Sequence, residues 1–206
     1  MRPLATLALL LALAACVRPA EPPPLLDLGA RACPGTPDLA AAPTLVVTSP
    51  ATNLREFDIT AASPCLRGPD GPGLYAAFLL PSLASPAMLR VASIPQGPAL
   101  FAPRIQLLDR AGQVLREVGP DAFLFRGGGL TALVRLRDGE AAVVITSHPP
   151  VIGQDVSRIQ SATHATPMIG PGVAFVVYTG SEAAQRQVLS HNGRVVIALS
   201  AVPTGQ

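Results

Sequence analysis

Short apolar runs recur along the chain from residue 44 onward, each bounded by Gly, Pro, Asp or Asn. Many of the runs are rich in Val, Ile, Leu and Thr, a composition typical of β-strands. They predict strands at 44–48, 56–60, 74–80, 87–93, 104–109, 113–117, 130–136, 141–147, 172–179 and 194–200. About ten short strands with little helix indicate an all-β domain, either an antiparallel, jelly-roll-like β-sandwich, which we favour, or a closed sheet.

Two short motifs between these strands predict β-hairpins, at residues 109–112 and 137–140. The second motif contains Asp138-Gly139 and is the stronger signal, because a two-residue type I′ turn needs positive φ at both positions. Residues 127–129 are three consecutive glycines between strand signals, and they predict a flexible turn rather than a phosphate site.

Two segments carry no strand signal. Residues 148–171 have no clear period and are expected to form a long connection, a kind of segment that is often functional or mobile. Residues 181–189 are expected to form one helical turn, because Ser181 could cap it and Glu182 would lie near its N-terminus.

The first 15 residues have the features of a secretory signal. Arg2 is followed by an apolar run of about a dozen residues, shorter than the roughly 20 that cross a bilayer as a helix. The run ends in Leu13-Ala14-Ala15-Cys16, which resembles the lipobox of bacterial lipoproteins. That resemblance implies cleavage before Cys16, acylation of its thiol and, with Val17 next, an outer-membrane lipoprotein facing the periplasm. The alternative is an ordinary signal peptide whose cleavage site precedes a cysteine.

The chain therefore divides into three predicted parts: a signal peptide (1–15), a lipid anchor with a proline-rich tether (16–43) and the β-sandwich (44–206). Seven prolines in residues 17–43 favour an extended tether. Residues 25–33 are expected to form a short turn that docks on the domain. If Cys33 is fixed to the domain, the free tether of residues 17–32 could reach roughly 50 Å.

Two further cysteines, Cys33 and Cys65, remain in the exported part of the chain. Disulfides persist in oxidising compartments, so we expect these two to be bonded. The chain-entropy model assigns such a loop about 3–4 kcal/mol. Zinc is the rival interpretation, but the pair lacks CxxC spacing and further ligands. We expect no metal and no cofactor.

Charge and motifs exclude several function classes. A net charge of +2 without a basic patch argues against nucleic-acid binding. The chain has no recognisable catalytic motif, and Ser147 and His148 are strand neighbours that should point to opposite faces. We interpret His148, His164 and His191 as ordinary loop residues. The sequence thus predicts no catalytic residue and no enzyme.

One block of the sequence has a recognisable pattern of residues. Residues 101–125 begin Phe101-Ala102-Pro103, continue through Leu108-Asp109 and lead to a phenylalanine-rich segment with Phe123 and Phe125; a strand pair at 130–147 follows. Together with residues 54–81, this block resembles the maltose-operon periplasmic protein family. The resemblance implies an exported, β-rich protein linked to maltodextrin uptake, without established catalysis. It supplies no functional residues, and this chain differs in carrying the lipobox and in ending soon after its last strand.

Two functions are compatible with these features. The first is a non-catalytic, lipid-anchored adaptor that contacts other envelope proteins, for which an open edge strand is the natural surface. The second is a carbohydrate-binding accessory with maltodextrin as the ligand, which would need exposed aromatic rings in a groove. The chain has no Trp, and its two tyrosines, Tyr75 and Tyr178, fall inside strand patterns that predict packed side chains.

Overall fold

The computed structural model describes residues 25–48, 54–82, 86–170 and 173–202. Cys16 and the predicted signal peptide lie outside these residues. Nearly all of the described chain is β-structure, which confirms the all-β prediction. None of the described residues belongs to a helix long and apolar enough to span a membrane. The strands within the described ranges are β1 (Val47–Thr48), β2 (Arg55–Ile59), β3 (Cys65–Gly68), β4 (Gly71–Leu79), β5 (Ala87–Ile94), β6 (Ala99–Phe101), β7 (Pro103–Leu108), β8 (Val114–Val118), β9 (Leu124–Arg126), β10 (Gly129–Arg135), β11 (Ala142–Ser147), β12 (Asp155–Gly170), β13 (Val173–Ser190) and β14 (Gly193–Ala201). Short 3₁₀ turns lie at Pro120–Ala122 and Pro149–Val151.

Two sheets form the sandwich. One has the order β1-β14-β5-β10-β9, with β2 also paired to β14, and the other has the order β3-β4-β11-β7-β8. Alternate residues of each strand point inward, because successive side chains of a strand face opposite sides. The shared core holds the inward residues of both sheets, among them Leu74, Phe78, Leu89, Val91, Ile105, Leu107, Val134, Val143, Ile145, Val195, Ile197 and Leu199. This packing confirms the predicted β-sandwich.

The segment before β1 packs on the sandwich. Leu28 and Leu45 are buried in the main core, and Leu39 lies over the outer face of the five-stranded sheet. The Cys33–Cys65 disulfide is present, as predicted, and it joins this segment to the start of β3. Residues 25–43, which the proline content placed in the tether, are therefore held by spaced leucines and a covalent bond. Residues 25–32, predicted as part of the free tether, are therefore not free.

All ten predicted strands are present, but one connection and one helical turn were predicted wrongly. Residues 148–171, expected as a connection, contain β12, and residues 181–189, expected as a helical turn, lie inside β13. Here β12 and β13 pair residue by residue from Asp155 opposite Val188 to Gly170 opposite Val173. The cross-strand ladder supplies the backbone hydrogen bonds that a helix would have made, so pairing overrides the local capping signal at Ser181.

The two predicted hairpin motifs differ in outcome. Residues 109–112 connect β7 to β8, which pair directly, so this hairpin is confirmed. Residues 137–140 instead carry the chain from β10 in one sheet to β11 in the other, so the prediction of a hairpin there was wrong. Gly139 has φ of +89°, as a sharp reversal requires. The buried Glu140 carboxylate accepts hydrogen bonds from the Arg137 N–H and the Arg116 guanidinium, which fixes this corner.

Candidate functional site

The first candidate site is a buried contact between a serine and a histidine. Ser147 Oγ lies 2.7 Å from His191 Nδ1 and accepts a hydrogen bond from the Leu74 N–H at 3.0 Å. The serine therefore pairs with His191, 44 residues away, rather than with its neighbour His148. No spacing rule in the sequence indicates this pair, because the sheet topology brings the two residues together.

The Ser147–His191 contact is closed to solvent. Ser147 is fully buried, and Gly73 of β4 lies so near that an added Cβ would stand 2.9 Å from Ser147 Oγ. Burial lowers the pKa of His191, which keeps the ring neutral and able to accept the serine proton. A nucleophile needs access to its substrate, so this geometry fastens the end of β11 to the β13–β14 connection.

A second polar group lies on the outer face of the five-stranded sheet. Arg104 is almost fully buried on β7, and its guanidinium forms a 2.9 Å ion pair with Asp70. Burial, and then the charge of Arg104, lower the pKa of the nearby His148. Within the described part of the chain, no group of three or more His, Cys, Asp or Glu side chains has the arrangement of a metal site.

A broad groove lies at the loop end of the sandwich, with a volume of about 1150 Å³. It lies between the corner at residues 137–140 and the hairpin at 109–112. Its lining mixes arginines and carboxylates and includes no aromatic ring among the described residues. A sugar platform needs such rings, so the groove does not have the chemistry expected for maltodextrin.

The most exposed feature of the molecule is a two-stranded ribbon formed by β12 and β13, which we call the arm. β13 also pairs with β6, but only at Val188–Ser190, at the base of the arm. Fifteen residue steps separate Val188 at this base from the last pair, Gly170 and Val173, a length of about 50 Å at 3.3 Å per residue. Neither sheet of the sandwich covers the arm, and nearly all its described side chains between residues 163 and 180 are exposed.

The chemistry of the arm is unusual for an exposed surface. Residues 159–181 contain no Asp, Glu, Lys or Arg. Exposed apolar residues lie on both of its faces: Met168, Ile169, Phe175, Val176 and Tyr178. Tyr75 is packed as predicted, whereas the same prediction for Tyr178 was wrong, because its side chain is 70% exposed. Phe175 and Tyr178 are three residues apart and so point to opposite faces, which rules out a shared stacking platform.

Charged residues reappear toward the base of the arm, where the Arg186 guanidinium forms an ion pair with the Asp155 carboxylate. The outer edge of β13 pairs with no other strand of the described chain between Phe175 and Thr179. Sequence reasoning missed this site because it placed residues 148–171 in a loop. The available signal was the 23-residue uncharged stretch that spans that loop and the following predicted strand.

Comparison with known proteins identifies no relative of this chain. No family model, no curated protein and no solved structure matches the chain. The resemblance to the maltose-operon periplasmic family thus stays an expectation, and the function has to be argued from the arm and the sandwich.

Proposed function

We propose that the protein is a non-catalytic, lipid-anchored component of the bacterial cell envelope, with the sandwich as an accessory or adaptor domain that contacts other envelope proteins through its arm. The observation that carries this proposal is the arm itself. Monomeric proteins seldom expose large contiguous apolar surfaces, and such surfaces mark interaction sites.

The edge of β13 is the proposed contact surface for a partner protein. Residues 173–179 read VAFVVYT, a run of high β-propensity without charge or proline. An open edge of this kind can accept a strand from another protein, with backbone hydrogen bonds supplying affinity. The opposite edge belongs to β12 and includes Pro167, which has no N–H to donate. A partner strand is therefore expected on β13 rather than on β12.

The anchor in this proposal is the lipidated thiol of Cys16, with Val17 favouring the outer membrane and the periplasmic side. The anchor would hold the domain close to other envelope proteins and raise their effective concentration at the arm. A lipid-anchored adaptor of this kind needs only a modest intrinsic affinity for its partner.

The proposal is tested by a photoreactive amino acid placed at Thr179 on the exposed edge of β13, in living cells. We expect one discrete crosslinked envelope protein, identified by mass spectrometry. The matched control is the same amino acid at Leu133, which is exposed on the outer face of β10. Identical products from both positions, or none from Thr179, would contradict an adaptor that works through the arm.

The second candidate function is a carbohydrate-binding accessory of maltodextrin uptake. The exposed ring of Tyr178 is the observation that favours it, since sugars stack on such rings. Amide hydrogen exchange of β12 and β13, measured with maltodextrins of different length, tests it. A ligand at ten times its dissociation constant should stabilise the arm by about 1.4 kcal/mol and slow local exchange there roughly tenfold. A saturable slowing that Tyr178→Ala abolishes would favour this function, and unchanged exchange rates would leave the adaptor.

A further inference from the structure

The outermost part of the arm differs from the rest of the ribbon. Its residues with described side chains are Pro167, Met168 and Ile169 on β12 and Phe175 and Val176 on β13, which we call the tip. Met168 is directly opposite Phe175, and Pro167 is directly opposite Val176. Directly opposed residues share a face and successive pairs alternate, so the tip presents bulky apolar groups on both faces.

This two-sided distribution limits what can cover the tip. A protein surface or an added strand covers one face or one edge of a ribbon and leaves the other apolar face in water. Ile169 is 87% exposed on one face, and Phe175 is 54% exposed on the other. A medium that surrounds the tip on all sides removes both from water, and the surface layer of a lipid bilayer is such a medium.

The order of residue types along the arm also fits a bilayer surface. The aliphatic side chains and Phe175 are nearest the end, Tyr178 follows two residue pairs behind Val176, and His164 and Thr179 come next. Tyrosine is enriched at the boundary between lipid and water. Backbone groups on the ribbon edges must keep polar partners. We therefore expect the tip to enter the bilayer surface by only about 5–10 Å, which corresponds to two to three residue pairs.

The N-terminal chain enters the sandwich next to the base of the arm. A Cβ added to Gly153, two residues before β12, would stand 3.0 Å from Leu25 Cδ1. Nine residue steps separate Leu25 from Cys16, and they span at most about 30 Å when fully extended. The arm is about 50 Å long, which is more than this span, so the arm must tilt toward the bilayer surface if its tip and the lipid of Cys16 are to meet the same bilayer. A bilayer holding the lipid of Cys16 is therefore within reach of the tip.

We propose that the tip of the arm inserts into the surface of the lipid bilayer as a second, non-covalent membrane contact. A single lipid chain holds a protein only marginally, and stable attachment takes two signals. The proposal extends the proposed function and rests on its lipid anchor for proximity, but not for the affinity of the tip. Because the tip carries no charge, its binding should be independent of anionic lipid and of salt.

The absence of Trp from the chain permits a direct test. Phe175→Trp places a single Trp at the tip, and Leu133→Trp is the control, because Leu133 is 53% exposed on the sandwich. The full chain is reconstituted in phosphatidylcholine vesicles with or without brominated acyl chains. We expect brominated lipid to quench the Trp at position 175 and to leave the Trp at position 133 unchanged. Ile169→Ser with Met168→Ser in the Phe175→Trp chain should lower vesicle partition roughly 100-fold, about tenfold for each side chain.

The outcomes separate the tip from the anchor. If mass spectrometry shows Cys16 unmodified while the Trp at position 175 is quenched by added vesicles, the anchor in the proposed function fails and the tip proposal stands. If Cys16 is lipidated and the Trp at position 175 is not quenched, the tip proposal is overturned. An emission shift that depends on protein concentration and not on brominated lipid would also overturn it, in favour of pairing between two copies of the arm.

Discussion

The sandwich and the arm are built from the same strand-forming residues but are held together in different ways. In the sandwich, two sheets bury each other's inner faces, and residues such as Ile145 are fully buried. In the arm, two strands of similar composition have a complete ladder and no layer against either face. An isolated two-stranded ribbon is marginally stable in water. The difference shows that pairing alone defines a strand, whereas layering gives it stability.

This comparison predicts that the arm and the sandwich unfold independently. The free energy of local opening ranges from near zero in poorly packed segments to the global value in the core. The arm belongs to the first class and the sandwich to the second. A surface that must rearrange to meet a partner or a bilayer is expected to have low local stability.

The largest effect is expected from truncating one isoleucine in each region. Ile145→Ala removes a fully buried side chain from the centre of the five-stranded sheet and should lower the free energy of unfolding by about 2–5 kcal/mol. Ile169→Ala changes a side chain that is 87% exposed and should alter it by less than about 0.5 kcal/mol. Urea denaturation of both variants measures the two changes in the free energy of unfolding. Equal losses would show that the arm is packed in solution.

The disulfide offers the next largest effect. The double variant Cys33→Ser with Cys65→Ser opens a loop of 32 residues and should lower the free energy of unfolding by about 3–4 kcal/mol in the chain-entropy model. The loss should fall on the sandwich, because Cys33 and Cys65 join the N-terminal segment to β3. Amide hydrogen exchange would show faster exchange around Arg67, whose N–H bonds to the Pro34 carbonyl, and unchanged rates in β12 and β13. Faster exchange in the arm would contradict the independence of the two regions.

The sandwich could be predicted from the sequence because its strands are short apolar runs between turn residues. In β10, Ala132 and Val134 face the core while Leu133 and Arg135 face solvent, as a period of two requires. Local pattern did not indicate which strands pair. The Asp138-Gly139 motif marks a reversal correctly, but that reversal links the two sheets, since the geometry of a turn does not specify the sheet that follows.

The arm as a ribbon could not be predicted, although residues 172–179 were predicted as a strand, because β12 lacks the alternation that burial imposes. With both faces exposed, no selection for one apolar face produces a period of two, and residues 148–171 therefore looked like a connection. The Ser147–His191 contact was missed for a different reason. It depends on which strands pair and where they end, and spacing in the sequence carries no information about either.

The pH dependence of stability should come from the sandwich. Burial lowers the pKa values of His191 and His148, so the unfolded chain binds more protons than the folded chain as the pH falls below about 6.5. The free energy of unfolding should therefore be constant above that pH and decrease below it, by at most about 1.4 kcal/mol per pH unit for each histidine. His191→Gln should reduce this slope.

The control for the pH prediction is His164→Gln, because His164 lies on the exposed arm. It should leave the pH dependence of unfolding unchanged. Thermal melting between pH 5 and pH 7.5 measures both variants. If His164→Gln removes the slope and His191→Gln does not, the titrating group is on the arm, and the assignment of the pH response to the buried Ser147–His191 contact is wrong.

The smallest effect is expected from one glycine in the arm and should be a gain. Gly180 lies inside β13 opposite Thr163, and an added Cβ there would meet nothing within 4 Å. Gly180→Thr supplies a β-branched residue and a cross-strand threonine pair, which should strengthen the arm by about 0.5–1 kcal/mol. Hydrogen exchange in β12 and β13 should slow by roughly two- to fivefold, which is the same gain in free energy expressed as a ratio of exchange rates. The melting temperature should not change, since the sandwich determines global unfolding.

The same substitution in the sandwich should have the opposite result. Gly129 begins β10, and an added Cβ would stand 2.3 Å from the Ser93 carbonyl oxygen of β5. Backbone at that distance cannot move aside without breaking the β5–β10 ladder, so Gly129→Thr should lower the melting temperature clearly. If Gly180→Thr also destabilises the protein, the backbone of β13 is covered in solution. The arm would then be packed against another surface, and the contrast between a layered sandwich and an unlayered ribbon would not hold.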